Sequence, residues 1–488
     1  VIYFMKCYNI TRFIKKLYDI MLFKDRGFSL KEKERYKRSI IFVIALVIMG
    51  IQVGLFAYVW EQFYNYEDII KMLYFRRGNW AVIGLYGILI FIFGRIYGAF
   101  KVGRQRVFDI LLSQMISVVL VNSITYIQLS LIGRWKWLAN IYPMIIMTLI
   151  DFAIITIWAI SARYIYTKLY PPYQMLMVYG KHNPMRLKEK VSVRDDKYFI
   201  KEMVSIYAYS EEKLKKKLDE YKVVMVGDIP SHERNLIIKH CFDKEIRCYT
   251  VPKLSDIMIK NSDDIYMFDT PLLLFRNRGL TLEQAVIKRF MDIVISFMGL
   301  IIAAPIMLII AILVKSYDGG SIFYKQVRLT KDAKEFTIYK FRSMKMDSEV
   351  KGARLSSKND SRVTPVGKVI RNIHFDELPQ LFNIIKGDMS IVGPRPERPG
   401  ITEEYEEEIS EFDYRLKVKA GLTGYAQVYG KYNTLPYDKL KLDITYIEKY
   451  SLILDLKLMF LTFKILFQKD STEGVEEWQT TAKIKKEK

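Results

Sequence analysis

The apolar positions of this chain fall in blocks, and the spacing within the blocks changes along its length. Four long apolar runs occupy the first third, approximately Ile40–Tyr58, Trp80–Phe100, Val107–Ile132 and Leu138–Ile160. A helix crosses a bilayer with roughly 20 apolar residues, so each run predicts a membrane span. Arg95 near the end of the second and Asp151 inside the fourth keep these runs from being wholly apolar. A charge within lipid is costly, so Asp151 reads as a functional intramembrane acid, as a helix–helix contact, or as a position near the interface. Basic residues in the flanks set the orientation. The first 38 residues hold eleven Lys or Arg, and Arg95, Lys101, Arg104 and Arg106 lie around the loop between the second and third spans. The other two loops are poorer, with Lys71, Arg76 and Arg77 in one and Arg134 and Lys136 in the other. The N-terminus and everything beyond Arg163 are therefore expected on the cytoplasmic side.

The pattern shortens from Pro171 to about Arg278. Gln174–Tyr179 and Lys222–Val226 read as short buried strands, each followed by glycine, and Ile246–Val251 reads as another. Ser210–Glu220 and Glu233–Cys241 read as helices. Alternating strands and helices predict a doubly wound parallel sheet. Neither Gly180 nor Gly227 opens a G-x-G-x-x-G, so the expectation is a Rossmann-like domain without a cofactor fingerprint, serving regulation or oligomerisation.

Ile293–Val314 is then 22 residues without a charge, with Pro305 inside it. Length alone would make it a fifth span. Basic residues lie on both sides, Lys288 and Arg289 before and Lys315 after, which a spanning helix does not favour. Proline removes an amide donor and kinks a helix. The expectation is a re-entrant hairpin broken at Ala304-Pro305, returning to its own side of the membrane, with Lys288, Arg289 and Asp292 at the membrane interface.

Composition adds little to fold class and more to partners. At 488 residues the chain has room for two or three domains. A formal charge of +22 fits nucleic acid, an anionic bilayer or phosphorylated substrates. Much of that charge borders apolar runs, so membrane lipids and not nucleic acid are the expected partner. Cys7, Cys241 and Cys248 are too few for a disulfide framework, and with His182, His232, His240 and His374 they form no metal-ligand spacing. The long charged N-terminus does not read as a cleavable signal.

Beyond Asp318-Gly319-Gly320, residue types suited to phosphate become dense. Ile322–Gln326 and Phe336–Phe341 alternate like strands, and Lys340-Phe341-Arg342-Ser343-Met344 sets two cations and a hydroxyl close together. Val366–Phe375 reads as a short basic helix with Lys368 and Arg371, followed at once by Asp376-Glu377-Leu378-Pro379-Gln380. Proline favours the first turn of a helix, which puts the two carboxylates at or just before a helix start, where amides and dipole favour anions. Gly393-Pro394-Arg395-Pro396, with Arg398 behind it, is a stiff turn whose guanidinium groups suit a diphosphate. Adjacent carboxylates fit phosphoryl chemistry with Mg²⁺, an ion that takes one or two carboxylates and completes its shell on substrate oxygens. A carboxylate can also attack phosphorus to give an acyl phosphate. Alone, such a pair is an ordinary solvated helix start; the neighbouring motifs give it the chemical reading. His374 could be a general base or a structural residue, but an ionised carboxylate needs no base to attack. Phe412, Tyr414, Tyr425 and Tyr429 fit stacking on a base or sugar and fit core packing equally well.

Taken together, these motifs resemble the polyprenyl-phosphate glycosyl-1-phosphate transferases, also called monotopic phosphoglycosyl transferases or bacterial sugar transferases. The carrying residues include Lys288-Arg289 with Asp292, the run broken at Pro305, Lys340–Met344, Asp376–Gln380 and Gly393–Pro396. Ala420-Gly421-Leu422-Thr423-Gly424 with Gln427-Val428, and Leu442-Asp443 with Tyr446 ahead of Ser451 and Asp455, extend the resemblance over about residues 283–467. The four spans and the α/β insert resemble the preface of the large family members. The resemblance implies that Asp376 attacks the β-phosphate of a UDP-sugar and expels UMP, that Glu377 holds Mg²⁺, and that undecaprenyl phosphate then takes the phosphosugar. Such a reaction would start a capsule, exopolysaccharide, O-antigen or other glycan. The resemblance further implies phosphate contacts for Lys340, Arg342, Arg371 and Arg395, and a place at the nucleotide-sugar end for Asp443 and Arg398. It implies a bacterial inner-membrane location with the soluble domains in the cytoplasm. A non-catalytic scaffold of an export assembly is the alternative, against which the intact dyad and its flanking motifs speak. A transporter would leave the soluble half unexplained.

The expected plan is a basic N-terminal segment over 1–38, a four-helix α-helical membrane domain over 39–165 and a Rossmann-like α/β domain over 170–278. An interfacial and re-entrant membrane helix over 283–316, an α/β catalytic domain over 317–470 and a flexible tail over 471–488 complete it. A homodimer joined through the Rossmann-like domain is an arrangement this plan allows.

Overall fold

The computed structural model describes residues 30–65, 77–132, 140–181, 184–275, 279–345, 362–430 and 434–466. Most of the basic N-terminal segment, the loop cations Lys71, Arg76, Arg134 and Lys136, and the expected tail lie outside the described residues. The chain divides into two units, Val1–Val251 and Pro252–Lys488.

In the first unit the four apolar runs form the helices Leu30–Val59, Arg77–Tyr97, Val107–Ile132 and Tyr142–Leu169, each long and apolar enough to cross a membrane. The last begins later than its apolar run because Pro143 sits in its first turn, where a missing amide costs nothing, and it continues to Leu169. Large apolar side chains such as Phe42, Ile88, Leu149 and Ile157 point outward, while Gln52, Gln114, Asn122 and Asp151 are buried inside. This inverts the soluble pattern, as it should where the outer solvent is hydrocarbon and polar side chains bind helix to helix. Asn122 accepts from the Tyr86 hydroxyl at 2.9 Å and donates to Thr148 Oγ1 at 2.9 Å. Asp151 is buried in this interior.

The same unit carries a parallel sheet of β1 (Tyr173–Tyr179), β2 (Tyr198–Ser205), β3 (Val223–Val226) and β4 (Arg247–Thr250), ordered β2-β1-β3-β4. Central strands covered on both faces read as unbroken apolar runs. Accordingly Met175–Val178 and Val223–Val226 are buried throughout. β2 escapes sequence reading because Lys201 and Glu202 interrupt its pattern at the sheet edge. The sheet domain ends at Val251 rather than near Arg278. Leu254 and Ile257, on the next helix (Leu254–Lys260), pack with Leu440 and Ile444 in the core of the second unit. They are followed by an antiparallel hairpin, β5 (Asp263–Met267) and β6 (Thr270–Leu274).

The second unit is built on the helix Leu282–Asp318, also long and apolar enough to cross a membrane. A capping box starts it, Thr281 Oγ1 accepting from Gln284 N at 3.3 Å while Gln284 Oε1 accepts from Thr281 N at 3.0 Å, and Gly319 ends it with φ 69°. The expected break at Pro305 is absent: helix runs through it without interruption. Proline forfeits one backbone bond, whereas a break would strand several amides and carbonyls among apolar side chains. Lys288, Arg289 and Asp292, expected at the membrane interface, clasp this helix to the rest of the unit. Lys288 Nζ meets Asp455 Oδ2 at 2.5 Å, and Arg289 donates to the carbonyls of Ile384 and Ile385 at 2.6 and 2.7 Å. Asp292 Oδ1 accepts from Ser390 Oγ at 3.1 Å and Ile391 N at 3.0 Å. Charges that pair or hydrogen-bond can be buried at tolerable cost, and these find partners in protein. At the far end of the helix Asp318 pairs with Arg342, and Ile310 and Val314 pack against Phe341 and Ile370. Phe290, Phe297, Ile302 and Leu308 on other faces stay exposed.

Behind the helix stand the antiparallel pair β7 (Phe323–Leu329) and β8 (Glu335–Phe341) and the short parallel pair β9 (Ser390–Val392) and β10 (Gly421–Thr423). The core between them contains Phe336, Ile338, Ile384, Val392, Phe412 and Leu440. Lys288 and Asp455 are both buried, and breaking a buried pair typically costs about 3–5 kcal/mol. Lys288→Met should therefore lower the thermal midpoint of the detergent-solubilised protein by several degrees, and Lys288→Met with Asp455→Leu should recover most of that loss. Equal melting of the single and double variants would show that the pair does not hold the helix.

Candidate active site

Three stretches of the second unit converge. The first is the end of β8, carrying Lys340. The helix Pro365–Asn372 packs onto it at Gly367, where a Cβ would overlap the Ser343 carbonyl. Thr364 caps that helix by accepting from Gly367 N at 2.9 Å. The second stretch follows directly: His374 adopts φ 57°, a left-handed conformation unusual for a side chain with a Cβ, and so swings the chain into the 3₁₀ turn Phe375–Glu377. The third is the loop after β9. Gly393 lies so close to Lys419 and Gly421 that no side chain fits, which lets Pro394-Arg395-Pro396 fold back over the site.

One oxygen gathers these pieces. Glu377 Oε1 accepts from Lys340 Nζ at 2.6 Å and from Arg395 Nη2 at 2.9 Å. Burial pushes the Glu377 carboxyl up, but Arg395 and Lys340 outweigh it and hold the group far below the usual carboxylate range. Asp376 beside it is buried, and there burial wins. Its carboxyl is raised by desolvation, held back by Lys340 and Arg371, and raised further by the neighbouring Glu377 charge. Two adjacent carboxylates are thus pushed apart, Glu377 firmly ionised and Asp376 costly to ionise. Such divergence is a common mark of a chemical site.

The stabilising charge comes from side chains. The dyad precedes a helix, Gln380–Lys386, but that helix is only 7 residues long, and the first carboxylate lies a full turn ahead of it. Among the expected site residues, Lys340, Arg371 and Arg395 are brought to the dyad. Arg342 is not: it is buried and committed to Asp318. Asp443 is buried as well, 2.9 Å from Arg415, which places it inside the protein and not at a substrate surface. Arg398 precedes the helix Pro399–Glu406 and stands near Arg328, whose charge it disfavours.

With this geometry in place, similarity to known proteins becomes informative. Residues 283–469 match the family described as Bacterial sugar transferase. Over 185 residues the chain is 42% identical to a UDP-N-acetylgalactosamine-undecaprenyl-phosphate N-acetylgalactosaminephosphotransferase of Aeromonas hydrophila, covering 37% of this chain and 44% of that protein. Over 201 residues it is 41% identical to a UDP-glucose:undecaprenyl-phosphate glucose-1-phosphate transferase of Klebsiella pneumoniae, covering 40% of this chain and 42% of that one. A putative undecaprenyl-phosphate N-acetylgalactosaminyl 1-phosphate transferase of Bacillus subtilis is 48% identical over 136 residues, 28% of this chain but 76% of that protein. The chain belongs to the bacterial sugar transferase family. The matched part spans about half the length of the first two relatives, 44% and 42%.

The loop over the dyad has its own foundation, which residue types alone did not reveal. Glu397 is paired with Lys439 and lies 3.6 Å from Arg415 Nη1 and 3.9 Å from Arg328 Nη1. Its carboxyl is pushed up by burial but held down to about 2 by Lys439, Arg415 and Arg328. Arg415 also donates to the Arg395 carbonyl at 2.8 Å, so the hub fixes the backbone that presents the Arg395 side chain. The one available signal was the acid directly after Pro396, wedged between two arginines; Arg415 and Lys439 lie too far along the chain to be paired with it by eye.

A left-handed residue with a Cβ stores roughly 1–2 kcal/mol that glycine does not. His374→Gly is therefore expected to raise the thermal midpoint slightly, and His374→Ala, which keeps the Cβ, to leave it unchanged or lower. Identical midpoints for the two variants would show that the turn is unstrained.

Proposed function

We propose that this chain transfers a sugar-1-phosphate from a UDP-sugar to undecaprenyl phosphate, releasing UMP, and so starts a surface polysaccharide or glycan. The observation that carries the reading is the split dyad, Asp376 buried beside a Glu377 carboxylate that already holds two phosphate-type cations. In the first step a carboxylate oxygen of Asp376 attacks the β-phosphorus. The bond from that phosphorus to the bridging oxygen breaks, and UMP departs with the electron pair. In the second step a phosphate oxygen of undecaprenyl phosphate attacks the same phosphorus, the bond to Asp376 breaks, and the carboxylate is regenerated. Lys340, Arg371 and Arg395 bind and orient the diphosphate, neutralising charge that builds on its oxygens. Asp376 attacks in its ionised form, so the attack itself needs no general base.

The residues present fit Mg²⁺ of the kind that takes one carboxylate and completes its shell on substrate. Among the described residues no group of three or more His, Cys, Asp or Glu could hold a metal by itself. Glu377 would hold the ion together with diphosphate oxygens, and the ion would supply further charge neutralisation there.

The long helix fits the same reading. Lys288 near its start and Asp318 at its end are both tied to one soluble unit. A helix crossing a hydrocarbon core of about 30 Å would put its ends on opposite faces. Insertion from one side keeps the dyad at the leaflet where a lipid phosphate is presented, on the cytoplasmic face of a bacterial inner membrane.

Purified protein incubated with undecaprenyl phosphate, Mg²⁺ and a panel of UDP-sugars should release UMP, and release of UDP would refute the reaction class. Asp376→Asn should lower turnover by ~10³-fold or more, and undiminished turnover would sink the nucleophile assignment. Because Asp376 must be ionised, the rate should fall as pH drops through its raised pKa. Lys340→Met removes a cation that favours the ionised form, so its acid limb should move to higher pH. A limb that stays put or moves lower would remove Lys340 from the site.

A further inference from the structure

The end of the membrane helices that carries the parallel sheet gathers more cations than its acids can neutralise. The segments that meet there, 30–38, 95–109, 163–170 and 194–197, hold thirteen Lys or Arg against five Asp or Glu. Three of those acids are already committed. Glu34 accepts from Arg247 Nη2 at 2.7 Å and from the Tyr173 hydroxyl at 2.5 Å. Asp109 pairs with Arg106 at 3.1 Å and Asp196 with Arg194 at 2.7 Å. Lys37 turns to the Tyr173 hydroxyl at 3.0 Å and to the rings of Tyr170 and Tyr166, 4.6 and 5.3 Å from its ammonium. Arg194 also donates to the Arg104 carbonyl at 2.5 Å, and Arg104 itself is exposed. Among the described residues, Arg104, Arg163 and Lys197 have no carboxylate within ion-pair distance. Burial, and then the charges of Arg194 and Arg104, hold the Lys197 ammonium below its ordinary range. Lys37 stands in the same field. An anion placed among such like charges relieves their repulsion.

A crevice opens beside these cations, between the loop 98–106 and the helix Tyr142–Leu169. Gly103, at φ 70°, lies so close to Tyr166 that a Cβ would overlap the ring, so the loop is pressed onto that helix. By their places along the helices, the apolar lining residues Ile110 and Trp158 lie deeper in the bundle than Gln105, Arg163 and Asp196. Gln105 Oε1 is buried without a donor. On the outer faces Phe108 and Ile160 are exposed, as side chains in hydrocarbon are. Arg104 and Arg163 stand within about one helical turn of those two residues, the depth of lipid headgroups. The crevice is thus apolar at its inner end and cationic at its mouth. A nucleotide or nucleic acid would use the cations and leave the apolar end unfilled, and a neutral lipid would do the reverse. We propose that this crevice holds one anionic phospholipid, a chain against Ile110 and Trp158 and its phosphate among Arg104, Arg163 and Lys197. Basic pockets between membrane helices take such headgroups. The site lies wholly in the first unit and does not depend on the reaction proposed for the second.

Native mass spectrometry of the full chain in neutral detergent, titrated with phosphatidylglycerol or with phosphatidylcholine of the same chains, distinguishes the cases. One phosphatidylglycerol per chain should bind before any phosphatidylcholine does; equal uptake of the two lipids would overturn the proposal. Arg104→Gln and Arg163→Gln should each raise the half-saturating phosphatidylglycerol concentration about fivefold, the weight of one cation near an anionic headgroup. Both side chains are exposed, so neither variant should disturb the fold, and an unchanged melting curve in detergent checks this. Lys213→Gln makes the same change of charge at an exposed position outside the cluster and should leave lipid binding as it was. An equal shift in all three variants would mean that net charge alone attracts the lipid, and no shift in the two arginine variants would remove the phosphate from this crevice. Glycerol phosphate, which has the phosphate without the chains, should not displace the lipid at equal concentration; if it does, the site is one for small anions and the lipid assignment fails.

Discussion

The candidate site depends on a single carboxylate oxygen that two cations share. Lys340 comes from the end of a strand, Glu377 from a 3₁₀ turn and Arg395 from a proline-bound loop, and none is close to another in sequence. Their mutual attraction repays the desolvation of a buried acid only if all three are held in place. That condition explains the surroundings: the overlap-free contact at Gly367, the left-handed turn at His374, and the Gly393 crossing under the arginine loop. It also explains why Asp376 differs from its neighbour. The cations are spent chiefly on Glu377, and Asp376 bears the cost of burial.

A second constraint is the seat of the long helix. Its charged first turns turn inward, onto Asp455, two backbone carbonyls and the amide at Ile391, so the charge that flanks the apolar run serves attachment. The remaining faces are free to be apolar, and the helix is long and apolar enough to cross a membrane. Among the membrane helices of the first unit, amides, hydroxyls and Asp151 are buried inside, while many large aliphatic side chains face outward. Both arrangements follow from one rule, that a polar group must find a partner wherever water cannot supply it.

Some of this was legible in the chain and some was not. Runs of about 20 apolar residues and the strand pattern of β1 and β3 report on local burial, which composition records directly. The edge strand β2 was hidden by two charges, and the hairpin β5–β6 by its lack of any buried face. The dyad and its phosphate-type neighbours were visible as residue types. The partners of those residues were not, because Arg342 with Asp318, Asp443 with Arg415 and Glu397 with Lys439 are each pairings across 24 or more residues.

The sequence by itself determined the membrane helices, the parallel sheet of the first unit, the family motifs and the acids that stand at the candidate site. Those are consequences of hydrophobic spacing and of residue chemistry, which do not need a third dimension. Only the tertiary structure decided which cations reach Glu377, which are spent on internal pairs, and that the helix through Pro305 stays unbroken. Each of these is a contest between desolvation and a partner, and the partner's position is set by packing.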